Sequence, residues 1–374
     1  MNQYFATVAR GLEEIAAQEL EALGGKNINP TFTGVEFEGD QKLLYNVNLW
    51  SRIIFRVLVP IQKFPCHNEK QLYQGVQSID WKNYLSAEQS LMVHCTGKNK
   101  QLNHSHFSAL QVKNAIADQQ RDYFGKRSDV NLDNPDLMIN LHIEETYAIL
   151  SLDSSGESLH RRGYRPAMGT APLKETFAAA LLKMTDWETH LPLLDPMCGS
   201  GTFPIEAGLK SLNIAPGLFR KEFAFEKWAD FNCELWQQLK QEAKQQQLLE
   251  LPARIYGRDR DSEVLQQAKT NARNCHLDQH LDLAKLELEN LEPPSDKGII
   301  ICNPPYGKRV GEVKELGQLY KQLGDIFKQR FKGWIAYVLS GNKDLTKQIG
   351  LRTSKRIPVY NGSIACTLLR YELF

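Results

Sequence analysis

The hydrophobic pattern of the chain switches repeatedly between a period near two and a period near 3.6. YFATVA (4–9) and TFTGVEFEG (31–39) alternate apolar and polar positions as half-buried strands do. Between them, GLEEIAAQELEALGG (11–25) sets Leu12, Ile15, Ala16, Leu20 and Leu23 at helical spacing and stops at a glycine pair. DQKLLYNVNLW (40–50) reads as a helix and IIFRVLVPI (53–61) as a buried strand. This order predicts a small split sheet with helices on one face.

A second unit follows. NEKQLYQGVQSIDWKNYL (68–85) reads as a helix and SLMVHCTG (90–97) as a strand. SHFSALQVKNAIADQQRDYFG (105–125) is a further helix, and LMINLHIEE (137–145) with YAILSLDSSG (147–156) forms a hairpin. ESLHRRGYRPAMGTAP (157–172) is basic and punctuated by Gly and Pro, which predicts a linker. From Leu173 onward strands and helices alternate: a helix over 173–187, then strand-like runs LPLLD, ARIYG, LDLAK, GIIIC, GWIAYV and two within KRIPVYNGSIACTLLRYEL. Seven strands in this pattern imply an α/β domain with a doubly wound, mostly parallel sheet. More than fifty residues separate the first of these strands from the second. They include APGLFRKEFAFEKWADF, too aromatic for a plain loop and expected to pack over the domain.

Composition narrows the classes. The 374 residues are 42% hydrophobic and 24% charged, which suits two or three globular domains. A net charge of +1 excludes a general polycation, so any nucleic-acid contact must come from local patches. Seven cysteines without a CxxC pair support neither a zinc ribbon nor a disulfide framework, and no histidine spacing suggests a metal. The start resembles no signal peptide and no run is long enough to span a membrane, so a cytoplasmic protein with no membrane partner is expected.

Four features fall at expected strand ends, where open α/β sheets bind ligands. The loop DPMCGSGT carries Asp195, Met197, Gly199 and Gly201. Its glycines permit a tight turn, and its acid would repel a pyrophosphate but suit the ammonium or sulfonium of S-adenosylmethionine. Asp259 ends the next strand and could accept both ribose hydroxyls, while Asp261 is better placed to cap the following helix. Glu287 or Glu289 in LELENL could reach an adenine amino group. ICNPPYGKR ends the fourth strand. Its two prolines stop the ladder and stiffen the turn. The Asn303 side-chain oxygen and the Pro304 carbonyl can then accept the two hydrogens of an exocyclic amine, with Tyr306 stacked on the ring that carries it. Basic residues in 343–358 (Lys343, Lys347, Arg352, Lys355, Arg356), with Lys308 and Arg309 beside the clamp and Arg161, Arg162 and Arg165 in the linker, offer phosphate contacts.

DPMCGSGT with NPPYG resembles the class I, S-adenosylmethionine-dependent amino methyltransferases. LHRRGYRPAMGTAPLKETFAAALL, LLDPMCGSGTFPIEA, APGL and FAFEKW extend the resemblance to the RlmL-type ribosomal RNA guanine methyltransferases. That resemblance implies a ferredoxin-like subdomain (1–64), a THUMP RNA-binding domain (65–158) and a Rossmann-like methyltransferase domain (159–374). It implies methylation of the guanosine 2-amino group in 23S ribosomal RNA, with S-adenosylmethionine as cofactor and no metal. Asn303, Pro304 and Tyr306 match the target-amine clamp. Asp195, Met197, Gly199, Gly201, Asp259, Glu287 and Asn303 match the cofactor site, although family members more often carry Asp where Glu287 stands. Arg161, Arg162, Lys308 and Arg309 are assigned to RNA. Ending at Phe374, the chain is expected to make one modification. The same chemistry on transfer RNA, on adenine in DNA or RNA, or on protein glutamine stays open, as does a non-catalytic RNA-binding role.

Overall fold

The computed structural model describes residues 1–165, 173–306 and 310–374, with backbone alone for 310–314. In its first half, β1 (Asn2–Thr7), α1 (Glu13–Ala22), β2 (Lys26–Thr31), β3 (Gly34–Gly39), α2 (Gln41–Trp50) and β4 (Arg56–Pro65) lead into α3 (Glu69–Gln77), β5 (Ser90–Gly97), α4 (Ser105–Phe124), β6 (Asp129–Val130), β7 (Leu137–Ile143) and β8 (Tyr147–Asp153). The helix starts follow from side-chain caps: Asp40 accepts from Leu43 N–H and Asn68 from Gln71 N–H, each satisfying an orphan donor.

The expected small split sheet is part of a larger one. All eight strands form a single sheet in the order β2-β3-β1-β4-β8-β7-β5-β6. β4 joins the halves, pairing with β1 at Arg56–Leu58 and with β8 from Leu58 to Pro65. The strand expected over 31–39 is β3, and a strand the pattern did not predict, β2, precedes it and pairs with it as a hairpin. The signal for β2 was hidden because its residues KNINPT are polar and the turn depends on Thr33, which takes a φ of 58°.

The second half contains α5 (Glu175–Met184), β9 (Leu193–Asp195), α6 (Thr202–Ser211), α7 (Cys233–Gln245), β10 (Ile255–Asp259), α8 (Ser262–Asn274), β11 (Leu281–Lys285), β12 (Ile299–Cys302), α9 (Val310–Arg330), β13 (Ile335–Ser340), α10 (Lys343–Gln348), β14 (Lys355–Asn361) and β15 (Ile364–Glu372). Seven strands order as β11-β10-β9-β12-β13-β15-β14. β9 to β13 are parallel, and β15 runs antiparallel to both of its neighbours, β13 and β14. The direction of winding reverses between β9 and β12, which opens a crevice beyond their carboxyl ends.

The N-terminal region does not keep a core to itself. One buried cluster runs from Tyr4, Leu44 and Ile54 through Phe177, Ala207 and Leu339, whereas Trp81, Ile116 and Leu141 belong to a separate one. The aromatic segment before α7 closes this joint against α2. Tyr45 stacks on Phe225 at 4.3 Å between centroids and meets the edge of Trp236 at 5.9 Å. Gly217 lies against α2, where a Cβ would come within 2.8 Å of the Leu49 backbone.

Buried arginines fix the stretch expected to be a loose linker. Arg162, 2% exposed, pairs with Glu206 of α6 at 3.3 Å and donates to the carbonyls of Ser51, Arg52 and Leu159. Its assignment to RNA is therefore corrected: all its hydrogen-bonding capacity is turned inward, away from any phosphate. Arg220 donates to the carbonyls of Ser155, Glu157, Ser158 and Arg161.

Replacing Arg162 with Ala strands Glu206 in an apolar setting and should cost about 3–5 kcal/mol. Arg162→Met combined with Glu206→Leu should recover much of that loss. Urea midpoints of the single and double variants check this, and a single variant as stable as the parent chain would contradict it.

Candidate active site

The ends of β9 and β12 meet a cleft of about 1100 Å³, and Asp195, Met197, Gly199 and Asn303 all line it. β9 stops at Asp195 because the chain must turn sharply: Gly199 and Gly201 take φ of 53° and 85°, a region that side chains avoid. At Gly201 a Cβ would approach Ala268 of α8 to 3.1 Å. Three bonds strap the loop down. Cys198 N–H donates to the Arg258 carbonyl (2.8 Å), Gly199 N–H to Asp259 Oδ2 (2.8 Å) and Asn271 Nδ2 to the Ser200 carbonyl (3.0 Å).

Asp195 is 2% exposed, and its carboxylate accepts from Met197 N–H at 3.1 Å. No cation pairs with it among the described residues. Burial pushes its carboxyl well above the ordinary range, and the Asp259 charge pushes the same way. A buried acid without a counter-charge, lining a large cleft, fits a cationic ligand; the sulfonium and ammonium of S-adenosylmethionine meet that requirement.

Asp259 is differently employed from expectation. Its carboxylate holds Gly199 N–H and Asp261 N–H, so it buttresses the loop and is not among the residues lining the cleft. Asp261 caps α8 through Glu263 and Val264 N–H groups, as its position predicts. Glu287 is exposed at the start of a short 3-10 turn beyond β11 and also stands outside the lining. The turn is tied to β10 by Leu286 N–H donating to the Asp259 carbonyl. Glu289 faces a different hollow, beside Lys321, Asp325 and Arg330 of α9.

The clamp is closed on itself. Tyr306 Oη donates to Asn303 Oδ1 at 2.8 Å and accepts from Asn361 Nδ2 at 3.3 Å. Asn303 therefore does not present a free oxygen, and Tyr306 does not stand as a free stacking ring; its half-buried ring packs against both cores of this domain. The reason is elementary: a half-buried side-chain amide oxygen takes the nearest donor. Burial holds the Tyr306 phenol at about 12, so it remains a donor at neutral pH. Pro304 is buried and Pro305 exposed. Lys308 and Arg309 lie outside the described residues.

The facing wall was missed in the sequence. His160, Arg165, Lys174 and Glu175 line the cleft, from a segment whose Gly and Pro content predicted a linker. Arg165 pairs with Glu175 at 3.0 Å and donates to Thr202 Oγ1 at 2.6 Å. Arg161 is exposed at the rim and pairs with Glu157 at 2.9 Å. The signal available was the density of charge in HRRGYR and LKET on either side of 166–172. Cys198 and Cys302 are buried with thiols pushed up by burial, which suits packing and not nucleophilic attack. Among the described residues no cluster could hold a metal ion, and no helix is long and apolar enough to cross a membrane.

Asp195→Asn should weaken binding of S-adenosylmethionine about tenfold or more by calorimetry, since a charge-assisted contact is lost. The same variant should melt at a higher temperature without ligand, because it removes a buried, uncompensated charge. Equal affinity would contradict the role given to Asp195.

His160 generates a pH prediction. Burial, then the charges of Lys174, Arg161, Arg162 and Arg165, pull its imidazole from 6.5 down to about 4. The unfolded chain binds the proton more readily, so this contribution to stability is full above pH 6.5 and is lost as pH falls toward 4. His160→Gln should flatten that part of the stability profile in urea titrations between neutral pH and the acid end of the window.

Comparison with known proteins gives three family matches along the chain. Residues 162–370 match the model described as RMKL-like, methyltransferase domain; 66–153 match the THUMP domain; 3–58 match the RlmL ferredoxin-like domain. A Synechocystis protein that bears a provisional RNA methyltransferase name is 58% identical, covering 99% of this chain and 97% of that one. The ribosomal RNA large subunit methyltransferase K/L of Syntrophotalea carbinolica is 42% identical over 99% of this chain, which spans 53% of its length. A crystal structure described as a candidate methyltransferase complexed with SAH superposes with a TM-score of 0.89 at 30% identity, covering 100% of this chain and 98% of that one.

Proposed function

The chain belongs to the RMKL-like family of S-adenosylmethionine-dependent methyltransferases, and from that premise we propose that it methylates the exocyclic 2-amino group of a guanosine in 23S ribosomal RNA. One observation carries the reading. Asn303, an amide acceptor at the end of β12, and Asp195, an uncompensated acid at the end of the neighbouring β9, line the same cleft. An acceptor for an amine therefore sits one strand away from the anchor for a cation.

S-adenosylmethionine, when bound, supplies an electrophilic methyl group. Asp195, Met197 and the Gly199–Gly201 turn would hold it, with Asp259 keeping the turn in shape and Glu287 as the proposed adenine-side acid. Asn303 Oδ1 and the Pro304 carbonyl would accept the hydrogens of the target amine. An aryl amine is a poor nucleophile because its lone pair is delocalised into the ring; two fixed acceptors favour a pyramidal nitrogen and orient that lone pair. Tyr306 must release Asn303 as the amine arrives, exchanging one hydrogen bond for another and freeing its ring to pack on the base. The recessed clamp requires a base that is flipped out or unpaired. The three-part division at 1–64, 65–158 and 159–374 assigns RNA gripping to the THUMP region, with Arg161 and the Lys343–Arg356 stretch as further phosphate contacts. An RNA substrate and free cysteines support a cytoplasmic location as part of this reading.

The test is to incubate the protein with radiolabelled donor and separate pools of ribosomal RNA, transfer RNA, DNA and protein, then digest the labelled pool. Label recovered as 2-methylguanosine from ribosomal RNA is expected. Label in transfer RNA, or in methyladenosine, would redirect the substrate; no label in any RNA would overturn the proposal. Asn303→Ala should abolish transfer while leaving donor affinity within a few-fold of the parent chain. Turnover within a few-fold of normal would rule out the amine clamp.

A further inference from the structure

Apart from the terminal Phe374, the most exposed aromatic side chain among the described residues is Phe32, 76% exposed at the tip of the β2–β3 hairpin. Such exposure costs solubility and buries nothing, yet the tip is built with care. The Glu13 carboxylate accepts from both Gly11 N–H (2.8 Å) and Thr33 N–H (3.1 Å), and Val8 N–H donates to the Thr33 carbonyl (3.0 Å). One acid thus ties the loop before α1 to the hairpin tip. Between them projects Arg10, with no ion pair among the described residues. Its guanidinium lies 5.8 Å from the Phe32 ring centroid and 4.5 Å from that of Tyr360 on β14. Gly11 takes a φ of 85°, a backbone conformation that favours glycine, and lies at ordinary contact distance from Tyr360.

Phe32, Arg10 and Tyr360 therefore form a row of flat groups shared between the two ends of the chain. The chain of β14 links the row to the catalytic clamp. Asn361, next to Tyr360, donates to Tyr306 Oη, which in turn donates to Asn303. Along β14, at the edge of its sheet, Lys355 and Arg356 are exposed. A flat aromatic beside a guanidinium, with cations further along the same edge strand, is the chemistry that stacks unpaired bases and tracks a sugar-phosphate strand. A partner helix or apolar peptide would need a continuous apolar groove, and the charge here favours a polyanion.

We propose that Phe32, Arg10 and Tyr360 form a stacking platform for the base adjoining the target nucleotide in a single-stranded stretch of RNA. The inference rests on the reading of the protein as an RNA methyltransferase. It adds a base-binding site made by the N-terminal region and completed by β14, so that the catalytic domain alone would lack half of it. A base unstacked when its neighbour is flipped would find on Phe32 and Arg10 the stacking partner it lost.

Phe32→Ala is the informative variant, because the side chain is 76% exposed and its loss should leave melting temperature and donor affinity unchanged. Fluorescence anisotropy with an unstructured oligoribonucleotide should show affinity falling roughly tenfold. Binding of the same sequence annealed into a duplex should change much less, and Phe32→Trp should restore the single-strand affinity. With protein-free ribosomal RNA and labelled donor, Phe32→Ala should raise KM. Unchanged single-strand affinity and KM in Phe32→Ala, with methylation of RNA intact, would overturn the platform alone and leave the tip to a protein partner. Absence of RNA methylation by the parent chain would overturn both readings.

Discussion

The buried contact between Arg162 and Glu206 holds the pieces of this molecule in one arrangement. Glu206 belongs to α6, which begins immediately after the Gly-rich turn, and Arg162 belongs to the stretch between the two sheets. The same guanidinium reaches the carbonyls of Ser51 and Arg52, beyond the end of α2. Tyr164 Oη adds a bond to Glu206 at 3.3 Å. A charge pair out of water is costly unless every donor is used, and here the donors are shared among three segments. The geometry of the first sheet relative to the second follows from that sharing, together with the aromatic packing of Tyr45, Phe225 and Trp236.

This joint also builds the cleft. Because Arg162 and Arg220 pin the backbone on either side of His160, one wall of the cleft is made by a segment that belongs to neither sheet. The opposite wall is the strapped turn carrying Asp195. Stability and function pull in different directions at that turn: an acid kept from water and from any counter-charge weakens the free fold, and the same acid offers a cation a prepared place. Asn303 and Tyr306 show the milder form of the same conflict, since the acceptor is satisfied within the protein until something better arrives.

The parallel sheet was legible in the sequence because its strands are short apolar runs that end in Gly, Pro or acid, signals that survive without tertiary context. The motif residues at those ends were legible for the same reason. What escaped was set by contacts distant along the chain. β2 is polar and pairs only because Thr33 turns the chain. The stretch at 157–165 looks like a tether from its composition but is ordered by arginines whose partners lie some 40 to 110 positions away. Arg162 looked like a phosphate contact because a sequence cannot say that a guanidinium points inward. Asp259 sits at the strand end as expected, yet its carboxylate serves the turn, a division of labour that depends on Gly199 N–H and not on the residue type.

The continuity of the first sheet through β4 has a mechanical meaning. Strands from the ferredoxin-like and THUMP regions are laid side by side in one hydrogen-bonded ladder, and that ladder is bolted to the catalytic domain. Such a frame has the build of a caliper with fixed jaws. Under the proposed RNA reading, a nucleotide would be chosen by how far it lies from the gripped stretch, and the right base at the wrong span would be refused by distance alone.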